Sequence, residues 1–268
     1  MRELETIMEY NDAGVTLWSL RYPGAFARGE TADAAARKLP AACRRYRLWA
    51  KLPTEADAAG EEQVRCTRKI KVDAPVEEGF TTALFPEEKL ALDMAQYTSL
   101  KTLCLVSARD MEALFASIPQ KDRALLKSRR TVYGKVPVTA REMLSHVIKA
   151  QRTWAALFGV DIGESRGLLA DRKRLFAGLE RQPGYLDGRI VPGPDGELWT
   201  LRKLLRRLLW HDALHGRALY RKAITFWQKE RIKNPFGLKK KKKRWADTYR
   251  KFRRNVILYF KSCFGGLL

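Results

Sequence analysis

The period of the apolar positions divides the chain. Over residues 90–230 they recur at three- and four-residue steps, which is helical spacing. Met94, Tyr97, Leu100, Leu103 or Cys104, Met111, Leu114 and Phe115 predict a helix over 90–117, stopped near Pro119. After Pro137, Thr139 and Glu142 form the Thr-x-x-Glu of a capping box. Met143, Val147, Ala150, Trp154 and Leu157 carry that second helix to the region of Gly159. A third is predicted over 168–180, before Pro183-Gly184, and a fourth from about 200 to 229, after the 192–196 loop. Four long helices with apolar faces and moderate loops predict a four-helix bundle over 90–236, with Trp154 and Trp210 walling its core.

The first seventy residues have a shorter period. β-prone stretches at 6–10 and 14–20 flank the polar turn Asn11-Asp12. Pro23, Gly24 and Gly29 punctuate a turn, and Thr31 is placed to cap a following helix through Leu39, Cys43, Tyr46 and Trp49. Pro40 should kink or restart that helix. Alternation over 64–72 predicts a further strand in the same sheet. The expected organisation is a small α+β unit over 1–73, a linker over 74–89, the helical region over 90–236 and a tail over 237–268.

Composition sharpens this picture. The 268 residues are 46% apolar, which excludes a wholly disordered chain, and 52 Lys+Arg against 30 Asp+Glu give a net charge of +22. Residues 239–268 alone carry +10 of it. Lys239, Lys240, Lys241, Lys242, Lys243 and Arg244 are therefore candidates for polyanion binding, or else a solvated extension. Cys43, Cys66, Cys104 and Cys263 are scattered without a CxxC pair, as expected of reduced thiols. The acidic opening lacks the apolar stretch of a secretory leader, and no uninterrupted apolar run is long enough to span a membrane. These features predict a soluble, cytoplasmic protein, and a homodimer is compatible with them.

The chemistry concentrates on the three histidines, His146, His211 and His215. Leu201, Leu204, Leu208, His211, His215 and Ala218 step by 3, 4, 3, 4, 3, so two imidazoles occupy positions where leucine would pack. At i and i+4 they project from one face a turn apart, a spacing that can grip one metal ion. His146, beside Met143, Val147 and Ala150, can turn toward the same core. Buried imidazoles need a partner, which is a hydrogen-bonding neighbour or a divalent cation. Glu142 and Asp212 are the nearest carboxylates in sequence. Either could orient an imidazole or act as a base, or be an ordinary capping or surface residue. Phosphate-binding and nucleophile-elbow motifs are absent.

Two resemblances follow. Glu142-Met143-Leu144-Ser145-His146, and residues 197–215 ending in His211-Asp212-Ala213-Leu214-His215, resemble the DinB-like metal-binding four-helix bundle family. That family holds its metal through one histidine of the second helix and an H-x3-H pair of the fourth. The resemblance implies a site of His146, His211 and His215 for zinc, nickel or iron, with an open position. It also implies thiol transfer, isomerisation or hydrolysis of a small molecule, with a small thiol as one candidate substrate. Pro23, Gly24, Gly29 and Thr31 resemble the PG-x(4)-G-x-T turn of the HicB-like, antitoxin-type fold, from which Pro40 departs. Together these imply a bacterial protein. Two functions are expected to compete: a metal-dependent transferase or hydrolase, and a non-catalytic nucleic-acid or partner-binding protein using the HicB-like unit and the basic tail.

Overall fold

A computed structural model describes residues 2–52, 62–131 and 134–238. Six elements come first: β1 (Arg2–Tyr10), β2 (Val15–Ser19), β3 (Phe26–Gly29), α1 (Ala32–Ala36), α2 (Leu39–Trp49) and β4 (Glu62–Lys71). They form a mixed sheet in the order β3-β2-β1-β4, with β1 antiparallel to β2 and parallel to β4. Asn11 closes the first turn by accepting from the N–H groups of Ala13 and Gly14 at 2.9 and 2.8 Å. Thr31 caps α1 by accepting from Ala34 N at 3.2 Å. The chain restarts as α2 with Pro40 in its first turn, where a missing N–H costs no hydrogen bond.

Side-chain alternation gives the sheet two buried faces. Leu4, Met8, Leu17 and Ala27 pack with Leu39 and Cys43 of α2. Ile7 and Trp18 turn the other way, onto Ala83, Phe85 and Trp210. β1 begins four residues before the expected position, and β3 lies inside the stretch expected to be turn. Its four residues are too few for an alternation to register.

Residues 74–90 hold two 3₁₀ turns, Val76–Glu78 and Pro86–Lys89, and are packed against the sheet. Glu9 is fully buried, and its carboxylate accepts from Trp18 Nε1 and Thr81 Oγ1 and from the N–H groups of Thr82 and Ala83. Glu88 pairs with Arg206 at 2.5 Å.

Four long helices follow: α3 (Met94–Ser117), α4 (Ala140–Leu157), α5 (Leu168–Glu180) and α6 (Leu201–Phe226). Between them lie two short antiparallel strand pairs that the sequence pattern did not predict, β5 (Arg130–Thr131) with β6 (Gly134–Lys135), and β7 (Val191–Pro192) with β8 (Leu198–Trp199). α3 packs against α4, α5 and α6, and α4 against α5 and α6. Asp93 caps α3, which starts four residues later than the apolar series suggested, and Met94, expected on the buried face, is exposed.

The helices enclose two apolar clusters, one around Trp154, Phe176, Leu204 and Leu208, the other around Met111, Met143, Val147 and Leu219. Trp210 belongs to neither, and packs instead against the sheet. All the described residues fall in one compact unit that ends at Leu238.

Candidate metal centre

The apolar row of α6 places His211 and His215 a turn apart, facing α4, which brings His146 to them. The imidazole centroids lie 4.3 Å apart for His211 and His215, 4.7 Å for His146 and His215, and 5.1 Å for His146 and His211. One ring nitrogen from each falls within 4.8 Å of the other two. The three histidines therefore lie close enough together to bind a metal ion.

Their surroundings suit that chemistry. His211 is buried, His215 half-buried and His146 exposed, so the cluster runs from the helical core to its edge. Trp154 and Trp210 pack on His211 at 5.1 and 5.7 Å. Loss of hydration among the packed side chains, above all, holds each imidazole below the ordinary histidine range, that of His146 included although the residue as a whole is exposed. Lys149 adds to this at His146, and His215, His146, Arg207 and Arg172 add to it at His211. His215 is pushed down to about 3 by burial, with His146 adding to it. All three are neutral at pH 7, the form that coordinates metal.

The nearest pair tests the fit. Nε2 of His211 faces Nε2 of His215 at 3.0 Å. Either one ring donates to the other, or both lone pairs converge on a cation. Two nitrogens about 2.0–2.1 Å from one ion are about 3 Å apart when they subtend a right angle, and about 3.4 Å apart at the tetrahedral angle usual for zinc. The separation fits, and His146, being exposed, is the member whose ring is least constrained from turning inward.

The two candidate carboxylates are committed elsewhere. Glu142 accepts from the N–H groups of Val138 and Thr139 at 2.8 and 3.2 Å, and Thr139 Oγ1 accepts from Glu142 N at 3.1 Å. This is the capping box. Those two backbone donors hold the Glu142 carboxyl below the usual carboxylate range.

Asp212 is fully buried and paired with Arg172 at 2.6 Å. Ser107 Oγ donates to it at 2.7 Å, and Arg172 also donates to Cys104 O at 3.0 Å and to Gln151 Oε1 at 2.5 Å. The network takes one side chain from each long helix, between the two apolar clusters. It fixes the turn of α6 that carries His211.

Two residues escaped the sequence reading. Arg172 stands in the row Leu168, Arg172, Leu175, Leu179 of α5, so a cation in an apolar row was its signal. Arg207, one turn before His211, lies over the rings of Trp154, Trp199 and Trp210 at 5.3, 5.2 and 4.9 Å and donates to Thr81 O. The tail candidates Lys239 to Lys243 and Arg244 lie outside the described residues. Among the described residues, no helix is long and apolar enough to cross a membrane. Compared with protein-family models, with curated proteins and with solved structures, the chain matches none.

Proposed function

We propose that residues 90–236 are a DinB-like metal-binding four-helix bundle behind a HicB-like unit over residues 1–73. On this reading His146, His211 and His215 hold one divalent ion, zinc, nickel or iron, and the protein is a transferase or hydrolase of a small molecule such as a thiol. The observation that carries the reading is the convergence of three neutral imidazoles from α4 and α6 within 4.8 Å. The Pro23–Thr31 segment supports the HicB-like part, since Thr31 caps α1 and Gly24 has a positive φ of 88° where it meets α6.

A divalent ion bound there supplies Lewis acidity, which makes a nucleophile of a thiol or water at neutral pH. The chain's own groups do the rest. His211 is held by Trp154 and Trp210 and by the buried Asp212–Arg172 pair next to it, so its ring is set before any ligand arrives. His146, at the exposed edge, leaves one side of the cluster accessible.

Cobalt(II) titration of the full chain tests the site and its substrate class together. The expected result is a visible spectrum saturating at about one cobalt per chain, lost in His211→Ala/His215→Ala, and changed by adding a small thiol. A colourless titration of the wild type would overturn the metal reading. A cobalt spectrum indifferent to every thiol tried would overturn the thiol substrate alone.

A further inference from the structure

The side of α6 turned toward the sheet carries a second pattern. Lys203, Arg206, Trp210, Leu214, Arg217 and Arg221 follow at three- and four-residue steps and so share one stripe. It lies about a third of a turn around the helix from the histidines. The first two cations are matched by carboxylates, Lys203 by Glu197 at 2.9 Å and Arg206 by Glu88 at 2.5 Å. Trp210 then meets Trp18 and Phe26 at 5.9 and 6.2 Å. Arg217 and Arg221, further along, have no carboxylate partner among the described residues, and Arg221 Nε is buried without a hydrogen bond.

Two more arginines approach Arg217 from different sides, Arg28 from β3 and Arg45 from α2, and Arg28 also has Arg129 within Coulombic reach. Arg28 follows Phe26 by two residues on β3, hence on the same face of the sheet, with its guanidinium against Gly79. Arg45 lies on α2 one turn before Trp49. Trp49 packs on Phe236 at 6.0 Å, and Phe236 in turn lies over Gly216 of α6, which brings α2 to the level of Arg217. All four arginines are half-buried. Arg217 is within Coulombic reach of Arg221, Arg45 and Arg28, and Arg45 of Arg221. Burial first, and this mutual repulsion second, weakens the hold of Arg217 and Arg45 on their protons. Four desolvated cations with no anion among them raise the free energy of the folded chain. Each guanidinium offers a planar fork of donors that matches phosphate oxygens.

We propose that Arg28, Arg45, Arg217 and Arg221 form a binding site for a compact ligand carrying more than one phosphate group. Compactness follows from the half-burial of the site at a junction of three elements, whereas a nucleic-acid backbone binds along an exposed groove.

Calorimetric titration of the full chain with inorganic pyrophosphate tests the site, beside a twelve-nucleotide single-stranded DNA. The variants are Arg217→Gln/Arg221→Gln and, for the tail, glutamine at all six positions from Lys239 to Arg244. Wild type and tail variant are expected to bind about one pyrophosphate per chain, and the double arginine variant about tenfold or more weakly. Without any anion that variant should melt above the wild type, because repulsion has been removed, a gain that a purely structural role would not give. Four results would overturn the proposal: no pyrophosphate binding by the wild type, equal binding by the arginine variant, a loss confined to the tail variant, or a lower melting temperature for the arginine variant. DNA binding tighter than pyrophosphate and dependent on the same arginines would replace the compact ligand with a nucleic-acid backbone.

Discussion

Arg172 and Asp212 meet at 2.6 Å with both side chains essentially inaccessible to water. Ser107, Gln151 and the Cys104 carbonyl take up further hydrogen-bonding capacity of the pair. Removing one partner leaves a buried charge alone, so Arg172→Met or Asp212→Leu should each cost about 3–5 kcal/mol in a denaturant melt. The double variant Arg172→Met/Asp212→Leu should recover much of that loss, because it buries no charge. Lys203 gives a pH-dependent counterpart. Burial lowers its pKa to about 8, while Glu197 partly opposes the shift. The unfolded lysine keeps its proton up to about 10.5. Across that window the unfolded chain binds more protons, so stability rises with pH by at most about 1.4 kcal/mol per unit from this group. Denaturant melts from pH 7 to 10 should show the wild type gaining on Lys203→Met only above pH 8. A constant difference at every pH would contradict the assignment.

At the scale of the element, α4 shows local chemistry acting alone. The reciprocal Thr139–Glu142 bonds close its first turn, and Thr139→Ala should cost about 1 kcal/mol, read by thermal melting. Glu142→Ala should destabilise similarly without altering metal content, since its carboxylate belongs to the cap. That helix was legible in the sequence because its signals are local: a capping pair, a proline before it, and apolar residues at helical spacing. The His-x3-His spacing on α6 was legible for the same reason. The α+β beginning followed by long helices was legible as well, since the period of the apolar positions changes between residues 72 and 90. Where the signal was tertiary, the reading fell short. β3 is held by its pairing with β2 rather than by its own pattern. Trp210 is an aromatic at helical spacing whichever partner it meets, and only the packed sheet decides which face it serves. For Asp212 the sequence left open an imidazole-orienting group, a base or a surface carboxylate, because its partner, Arg172, is forty residues away.

For the whole molecule, α6 is the common wall, with the helical cores and the histidines on one side and the sheet on the other. Gly24 marks how tightly the sheet side is fitted, since a Cβ there would lie 2.9 Å from Leu209 Cβ and 3.0 Å from Trp210 N, at a φ of 88°. Gly24→Ala should therefore cost about 1–3 kcal/mol, from strain as well as contact. It should also report, through metal retention, whether displacing Trp210 disturbs His211 behind it.

The central expectation for this protein is that His146, His211 and His215 hold a divalent ion. Its most direct test is elemental mass spectrometry of the full chain purified without a histidine tag, beside His211→Ala/His215→Ala. About one divalent ion per chain, absent from the double variant, is the expected result. A wild type that carries no metal, and takes up none from added zinc, nickel or iron, would contradict it and leave the three imidazoles as a hydrogen-bonded polar cluster.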